Sequence, residues 1–324
     1  MPAKIHAPTS ANLRRLAAVL REGGLVAIPT ETVYGLAAPA LNAQACRAIF
    51  RAKGRPANDP LIVHVTDLAH AEELAEFNDT ARAVVRRFWP GPLTIVLPKK
   101  ACVPGIVTSG GPTVALRSPA HPLARKLLAL AGVPLAAPSA NPFSYISPTT
   151  AEHVQQGLGR RIAHILDGGP CEVGVESTVL DLTRPTRPRL LRPGAITATQ
   201  LEKVLKRKVA TTQRSAKGNA RLAAPGLLAK HYSPRTPLRL VARPASKDPR
   251  TALIFLRRGT GKFAGPVHWL SARGALEEIA RNLYRVLREA DASGCREIQL
   301  EKLPLASGGL AAALSDRMKR AAAR

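Results

Sequence analysis

The stretch LVAIPTETVYGLAAPA (Leu25–Ala40), followed after a short segment by KGRPANDPLIVHV (Lys53–Val65), decides the fold class. Its apolar run Leu25–Ile28 reads as a buried strand that stops at Pro29 and delivers a polar turn, Thr30-Glu31-Thr32. Asn42 is placed to open a helix that runs to about Arg51, and Leu61–Val65 reads as the next buried strand, bringing His64. Strand, helix and strand in this order indicate α/β architecture. Hydroxyls, a tyrosine, two cations (Lys53 and Arg55) and an imidazole are thereby gathered at the ends of neighbouring strands, the edge at which open α/β sheets bind ligands.

Working outward, Ser10 reads as the cap of a helix over Ala11–Glu22. Further helices are expected at Asp67–Phe77, Ala81–Trp89, His121–Leu130 and Thr199–Lys206. Thr149 and Glu152 have the spacing of a capping box before another short helix. Strands are expected at Leu93–Pro98, Thr113–Arg117, Leu135–Ala137, His164–Leu166, Thr178–Leu182 and Leu190–Arg192, the last three close enough in sequence to make part of the sheet antiparallel. From Lys203 to Lys247 there is no acidic residue and no long apolar periodicity. Beyond it, Leu238–Val241, Ala252–Leu256 and Glu297–Leu300 read as strands and Leu276–Glu289 as an amphipathic helix. The expected organisation is a main unit at 1–208, a linker at 209–235 and a small unit at 236–324. The expected fold class is α/β: an open twisted mixed sheet flanked by helices, with a small C-terminal α/β domain.

The chain of 324 residues carries a net charge of +26, spread as +12 over residues 1–208 and +14 over residues 209–324. Such a potential attracts polyanions, ATP and RNA among them. Thr80–Ala151 contains no Asp or Glu, which suits a site for carboxylate and phosphate groups. The longest apolar stretch, Leu127–Ala137, is too short to span a bilayer and contains Pro134. No apolar secretory core follows the N-terminus, and the four cysteines are dispersed without a C-x-x-C pair, so a cytoplasmic location without a zinc site is expected. Neither a phosphate-binding G-x-x-x-x-G-K-[ST] loop nor a hydrolase triad order is present.

Six motifs in fixed order carry a family resemblance: PTETVYGL (Pro29–Leu36), KGRPANDPLIVH (Lys53–His64), WPGPLTIVL (Trp89–Leu97), TVALRSP (Thr113–Pro119), APSANPFSYISPT (Ala137–Thr149) and GVESTVLDL (Gly174–Leu182), followed by RPG at Arg192–Gly194. With HYSP (His231–Pro234) and the terminal LASGGLAAALSDRMKRAAA, the chain resembles the longer, two-domain branch of the threonylcarbamoyl-AMP synthases, tRNA-modification enzymes related to YrdC. The resemblance implies synthesis of threonylcarbamoyl-AMP from L-threonine, bicarbonate and ATP. Mg²⁺ accompanies the nucleotide, and a separate transferase complex uses the product on tRNA.

By the same resemblance Lys53 and Arg55 cancel charge on the triphosphate. Thr32, His64, Arg117, Ser177 and the Ala137 backbone fall on the threonine side. Asp59, Thr113, Ser139, Asn141, Ser147, Arg192 and Tyr232 join Arg55 on the ATP side, with Tyr232 belonging to a linker that acts as a lid. Asn58 is the alternative to Asp59 as the side chain facing ATP, and a magnesium contact is the alternative role for the carboxylate. Glu31 and Glu176 are expected as structural partners of the cations. Read singly, Lys53 and Arg55 are equally a solvated basic turn, and Ser139 and Asn141 a self-capping loop. Two rival functions fit the chain: an RNA-binding or ribosome-assembly factor without turnover, and a carbamoyl-adenylate enzyme of the hydrogenase-maturation type.

Overall fold

A computed structural model describes residues 2–211, 231–304 and 309–323. The first part runs β1 (Lys4–His6), α1 (Ser10–Arg21), β2 (Val26–Ile28), β3 (Gly35–Pro39), α2 (Ala43–Lys53), β4 (Ile62–His64), α3 (Leu68–Glu72), α4 (Asp79–Phe88), β5 (Leu93–Pro98), β6 (Thr113–Arg117), α5 (Pro122–Ala131), β7 (Leu135–Ala136), α6 (Ala151–Leu158), β8 (His164–Leu166), β9 (Thr178–Asp181), β10 (Arg189–Arg192), α7 (Ala198–Leu205) and β11 (Ala210–Thr211). Its strands form one eleven-stranded mixed sheet in the order β1-β8-β2-β3-β7-β4-β6-β5-β9-β10-β11. The second part is β12 (Leu238–Val241), β13 (Thr251–Arg257), β14 (Val267–Ser271), α8 (Leu276–Ala292), β15 (Glu297–Glu301) and α9 (Gly309–Ala321), with an all-parallel sheet ordered β12-β15-β13-β14. The expected α/β class with a mixed main sheet and a second α/β unit is what the chain adopts. Most of the expected linker, 212–230, lies outside the described residues, and the main sheet continues as far as Thr211.

Strand alternation sorts the side chains of the main sheet onto two unequal faces. Ala27, Val63, Ile95, Leu97, Leu116 and Leu180 point to a core completed by Ile49 of α2, Val84 of α4, Val154 of α6 and Leu201 of α7. On the opposite face Leu13, Leu16 and Leu20 of α1 and Leu127 and Leu128 of α5 pack against Val26, Ile28, Leu135 and Leu166. That cover extends over only part of the sheet. Farther along, Ile62, Val96, Ala115, Val179 and Leu191 form a separate small apolar patch to which no helix contributes. The candidate residues His64, Thr113 and Arg117 share this face with it by strand alternation.

The C-terminal unit closes over the region rather than hanging beside it. Its core of Leu283, Tyr284, Leu287, Ile298, Leu300, Leu314 and Met318 also contains Val33, Ile146 and Val175 of the main unit. Gly174 shows how near the two come: its φ is 77°, and a Cβ there would lie 2.5 Å from the Ala280 carbonyl oxygen and Arg281 Cα of α8. No other residue reconciles that backbone with that contact.

Several local expectations need correction. The first helix is capped by Thr9, not Ser10, and α6 by Thr150, whose Oγ1 accepts from the His153 amide. There is no capping box at Thr149, because its hydroxyl pairs with the His153 ring and Glu152 falls inside the first turn. The Asp67-capped helix stops at Glu72. Strands β1, β3 and β14 and helix α9 were not anticipated. Strand β3 reads in sequence as part of a turn region because its small residues (GLAAP) have low strand propensity; pairing with β2 and β7 decides it.

Candidate functional site

Helix α2 ends at Gly54, whose left-handed conformation (φ 66°) lets the chain reverse directly after Lys53. Lys53 and Arg55 are consequently buried rather than solvated. Lys53 Nζ donates to the carbonyls of Ser139 and Asn141, at 2.5 and 2.6 Å. Burial first, and then the nearby Arg55 charge, push its pKa well down. Arg55 donates to the carbonyls of Asp59 (3.0 Å) and Pro60 (2.7 Å), and its Nη2 lies 2.9 Å from Asp59 Oδ2. Burial raises the Asp59 pKa against the pull of Arg55 and Lys53. Neither oxygen of this carboxylate has a well-angled hydrogen bond, and the same is true of Asn58 Oδ1 and Asn141 Oδ1. Asn141 Nδ2 pins the following loop by donating to Pro142 and Tyr145 carbonyls.

Arg192, at the end of β10, donates through Nε to the Ser177 carbonyl (3.0 Å) and through Nη2 to Ser177 Oγ (3.1 Å). Ser147 Oγ donates to Glu176 Oε1 at 2.7 Å. The HYSP segment docks on the same loop: the Ser233 amide donates to Ser144 (2.8 Å), and Tyr145 and Ser233 form a parallel bridge. Tyr232 has a positive φ of 63° and is buried, and its hydroxyl lacks a hydrogen-bond partner. Burial and the Glu176 charge push its pKa up to about 12. His231, buried beside Arg55, Lys53 and Arg192, has its pKa driven far down by burial first and then by those cations.

A second group surrounds Arg117 at the end of β6. Its Nη2 lies 2.7 Å from Glu31 Oε1, and its Nη1 donates to Thr32 Oγ1 at 2.9 Å. Burial acts to raise the Glu31 pKa, but the charge and hydrogen bond of Arg117 outweigh it and hold the carboxyl below its ordinary value. Thr30 Oγ1 organises the turn by accepting from the Thr32 and Val33 amides. His64 stands opposite Arg117 in the parallel β4–β6 register. Burial, and then Arg117, lower its pKa to about 3, so the ring is neutral. Ser177 Oγ and Thr94 Oγ1 are 2.7 Å apart. The Ala137 amide is committed to the Ile62 carbonyl, which leaves a ligand only the carbonyl and Cβ of that residue.

The two groups lie along one face of the sheet. His64 and Arg117 occupy the C-terminal ends of β4 and β6, whereas Asp59 and Thr113 stand at their N-terminal ends, with Ile62 and Ala115 between. The strand-end location expected from the open α/β rule holds for His64, Arg117 and the Thr30–Thr32 turn after β2, and is corrected for Asp59 and Thr113 at the opposite strand ends. β7 runs antiparallel to β4 and β5 antiparallel to β6, so this part of the sheet has no common carboxyl edge. Sequence reasoning missed Tyr284 and Arg317, both of which contact Glu176. In α9 the signal was an arginine at the four-residue spacing of Ala313, Arg317 and Ala321, all buried.

Eleven of the fifteen buried side-chain polar atoms without a hydrogen-bond partner among the described residues belong to Glu31, Asn58, Asp59, His64, Arg117, Asn141, His231, Tyr232 and Arg317. Three of these atoms, Glu31 Oε1, Asp59 Oδ2 and Arg117 Nη2, are held in close ion pairs instead; folded proteins hold few of the others, and their concentration here fits a polar ligand site. Known proteins resemble this chain in sequence and fold. The family model described as "Telomere recombination", covering Sua5, YciO and YrdC, matches residues 18–194, and the "Threonylcarbamoyl-AMP synthase, C-terminal domain" model matches residues 196–323. The threonylcarbamoyl-AMP synthase of Pyrococcus abyssi is 42% identical over 95% of this chain and 93% of its own length. That of Bacillus subtilis is 40% identical over 96% and 92%. The crystal structure of P. abyssi Sua5 complexed with L-threonine superposes with a TM-score of 0.90 and 39% identity, covering 99% of this chain and 98% of that one. Matched in both units and nearly end to end, the chain belongs to the two-domain threonylcarbamoyl-AMP synthase family.

Proposed function

We infer that this chain condenses L-threonine, bicarbonate and ATP into threonylcarbamoyl-AMP, releasing pyrophosphate and water. The observation that carries the reading to particular residues is the clustering of buried charged and polar groups, several without a hydrogen-bond partner, near one helix-free patch of sheet. Threonine occupies the Arg117 half: its carboxylate is drawn to the Arg117 guanidinium, which Glu31 and Thr32 already orient, and Thr32 and Ser177 supply hydroxyls. His64, neutral across the physiological range, serves there as a hydrogen-bond partner rather than as a base. ATP occupies the Lys53 half, bounded by Arg55, Asp59, Thr113, Ser139, Asn141, Ser147, Arg192 and Tyr232.

In the reaction the unprotonated threonine amine adds to carbon dioxide drawn from bicarbonate, and a carbamate oxygen then attacks the α-phosphorus as pyrophosphate leaves. Little covalent work falls to the protein; orientation and cancellation of phosphate charge dominate. Mg²⁺ enters as the metal of the substrate MgATP. Asp59, already ion-paired to Arg55, is a poor candidate for a resident metal ligand. A buried site guards the carbamate from water, and Tyr232 and His231 supply that cover.

The product is passed to a separate complex that modifies tRNA. No described helix is long and apolar enough to cross a membrane. The cytoplasm is the proposed location because the product serves tRNA modification. The surface charge leaves room for a transient tRNA contact, but the cations buried around the site favour a small-molecule substrate over the RNA-binding rival. The intact Arg117 half argues against the carbamoyl-phosphate rival.

The test is mass spectrometry of the products formed with ATP, threonine, bicarbonate and Mg²⁺, omitting each in turn. A threonylcarbamoyl-adenylate mass that requires all of them is expected. Turnover with carbamoyl phosphate in place of threonine and bicarbonate would move the chain to the hydrogenase-maturation chemistry.

A further inference from the structure

Arg317 heads the fully buried side chains of the protein by volume, and it comes from the last helix of the C-terminal unit. A guanidinium withdrawn from water needs partners on several sides. Its Nε donates to Glu176 Oε2 at 2.9 Å and its Nη1 to Asp316 Oδ2 at 2.8 Å. Its Cζ lies 5.5 Å from the centre of the Tyr232 ring, and Nη2 is buried without a hydrogen-bond partner. Glu176 is the meeting point of the two units: Ser147 donates to it from the main unit, and Tyr284 OH from α8 at 2.9 and 3.2 Å.

We propose that Arg317 is a positioning residue for the nucleotide half, by which the C-terminal unit fixes Glu176 and, through it, the proton of Ser147. The inference rests on the reading of Ser147 as an ATP-side residue. With Glu176 ionised, the single Ser147 proton is committed to the carboxylate. The Ser147 oxygen can then only accept, so it suits a ribose hydroxyl or the adenine amino group and not a phosphate oxygen. If Glu176 takes up a proton it becomes a donor to Ser147, and the polarity of that contact reverses. The groups facing Glu176 are Ser147, Tyr284 of α8, Arg317 of α9, Arg192 of β10 and Tyr232, with Asp316 paired to Arg317. Burial works to raise the Glu176 pKa, and Arg317 and then Arg192 overcome it. Without Arg317, only Arg192 and the hydroxyls of Ser147 and Tyr284 remain to oppose burial.

The experiment measures kcat and the KM values for ATP and threonine from pH 5 to 9 in Arg317→Met, Arg317→Lys, Glu176→Gln and the double variant Arg317→Met/Glu176→Gln, with thermal melting of each. Arg317→Met is expected to raise KM for ATP by roughly tenfold or more while moving KM for threonine much less. It should also gain a loss of activity on the acid side, at higher pH than in the wild type. The double variant should lack that acid limb, and Arg317→Lys should restore its wild-type position while KM for ATP stays raised. A merely structural arginine would lower the melting temperature and leave the pH profile and the ATP to threonine KM ratio alone, which overturns the proposal. Should Arg317→Met not fold, wild-type KM values in both Arg317→Lys and Glu176→Gln overturn it equally. A wild-type protein that makes no threonylcarbamoyl-AMP overturns the underlying functional reading instead.

Discussion

In the half of the site assigned to threonine, one buried arginine, Arg117, faces one carboxylate, Glu31; in the half assigned to ATP, Lys53, Arg55, Arg192 and Arg317 face Asp59, Glu176 and the less buried Asp316. The first half is balanced before any ligand arrives, and a zwitterionic amino acid leaves it balanced. The second carries a surplus of buried positive charge, a costly arrangement that an incoming polyanion relieves. Burial first, and the Arg55 charge after it, push the Lys53 pKa down. The halves also differ in ownership. Arg117, Glu31, Thr32 and His64 all come from the main unit, whereas Glu176 is held by Tyr284 and Arg317 of the C-terminal unit.

The sharpest way to break this comparison is to remove the surplus. Lys53→Ala or Arg55→Ala is expected to lower turnover by roughly 10²–10³-fold or more, since each removes charge stabilisation aimed at the phosphates. Product formation by mass spectrometry and a melting curve check it together. A folded, active Arg55→Ala variant would take the cation cluster out of the chemistry. Next in size comes Arg117→Leu, which leaves Glu31 buried without its cation. Loss of about 3–5 kcal/mol of stability is expected, with threonine saturation impaired far more than ATP saturation. The sign with pH follows from the depressed Glu31 pKa. In the wild type the pair's stabilisation is complete above the unfolded carboxyl value near 4.5 and is lost as pH falls through the lower folded value. In the variant that stabilisation should be absent at pH 7, as urea melts at pH 7 and pH 4 will show.

A smaller change probes ownership. Gly174→Ala forces a Cβ against Ala280 and Arg281 and places alanine at φ 77°. The backbone strain alone is worth about 1–2 kcal/mol, and displacing α8 should raise KM for ATP more than KM for threonine. Equal effects on the two would show that both halves depend on the C-terminal unit alike.

Much of this was legible in the chain because short polar motifs are written contiguously at strand ends and turns. Thr32, Lys53, Arg55, His64 and Arg117 could be named before any coordinates. What sequence could not give is the direction from which partners arrive. β3 was missed because its small residues owe their strand state to neighbours on both sides. Tyr284 read as one more apolar position of an amphipathic helix, and only packing of α8 over the loop at Gly174 brings its hydroxyl to Glu176. The carboxyl-edge rule covers only the Arg117 half of the site, because it presumes parallel neighbours and β4 and β6 each have one antiparallel neighbour.

The finest test concerns His64, which sits beside Arg117 in the balanced half yet contributes no charge to it. Its folded pKa of about 3 lies below the unfolded value of 6.5, because burial and the neighbouring Arg117 both disfavour the imidazolium. Between those values the unfolded chain binds a proton that the folded chain refuses, so stability must decline as pH falls from 6.5 toward 3 and be unaffected by this group above 6.5. His64→Gln removes that titration, and its melting temperature should fall less steeply than the wild type's between pH 6.5 and 5. Activity should show no limb near 6.5 attributable to His64, since the neutral ring is the working form on both sides of that value. A wild-type profile whose acid limb near 6.5 disappears in His64→Gln would make the histidine a titrating base, and the half assigned to threonine would then no longer be the electrostatically silent one.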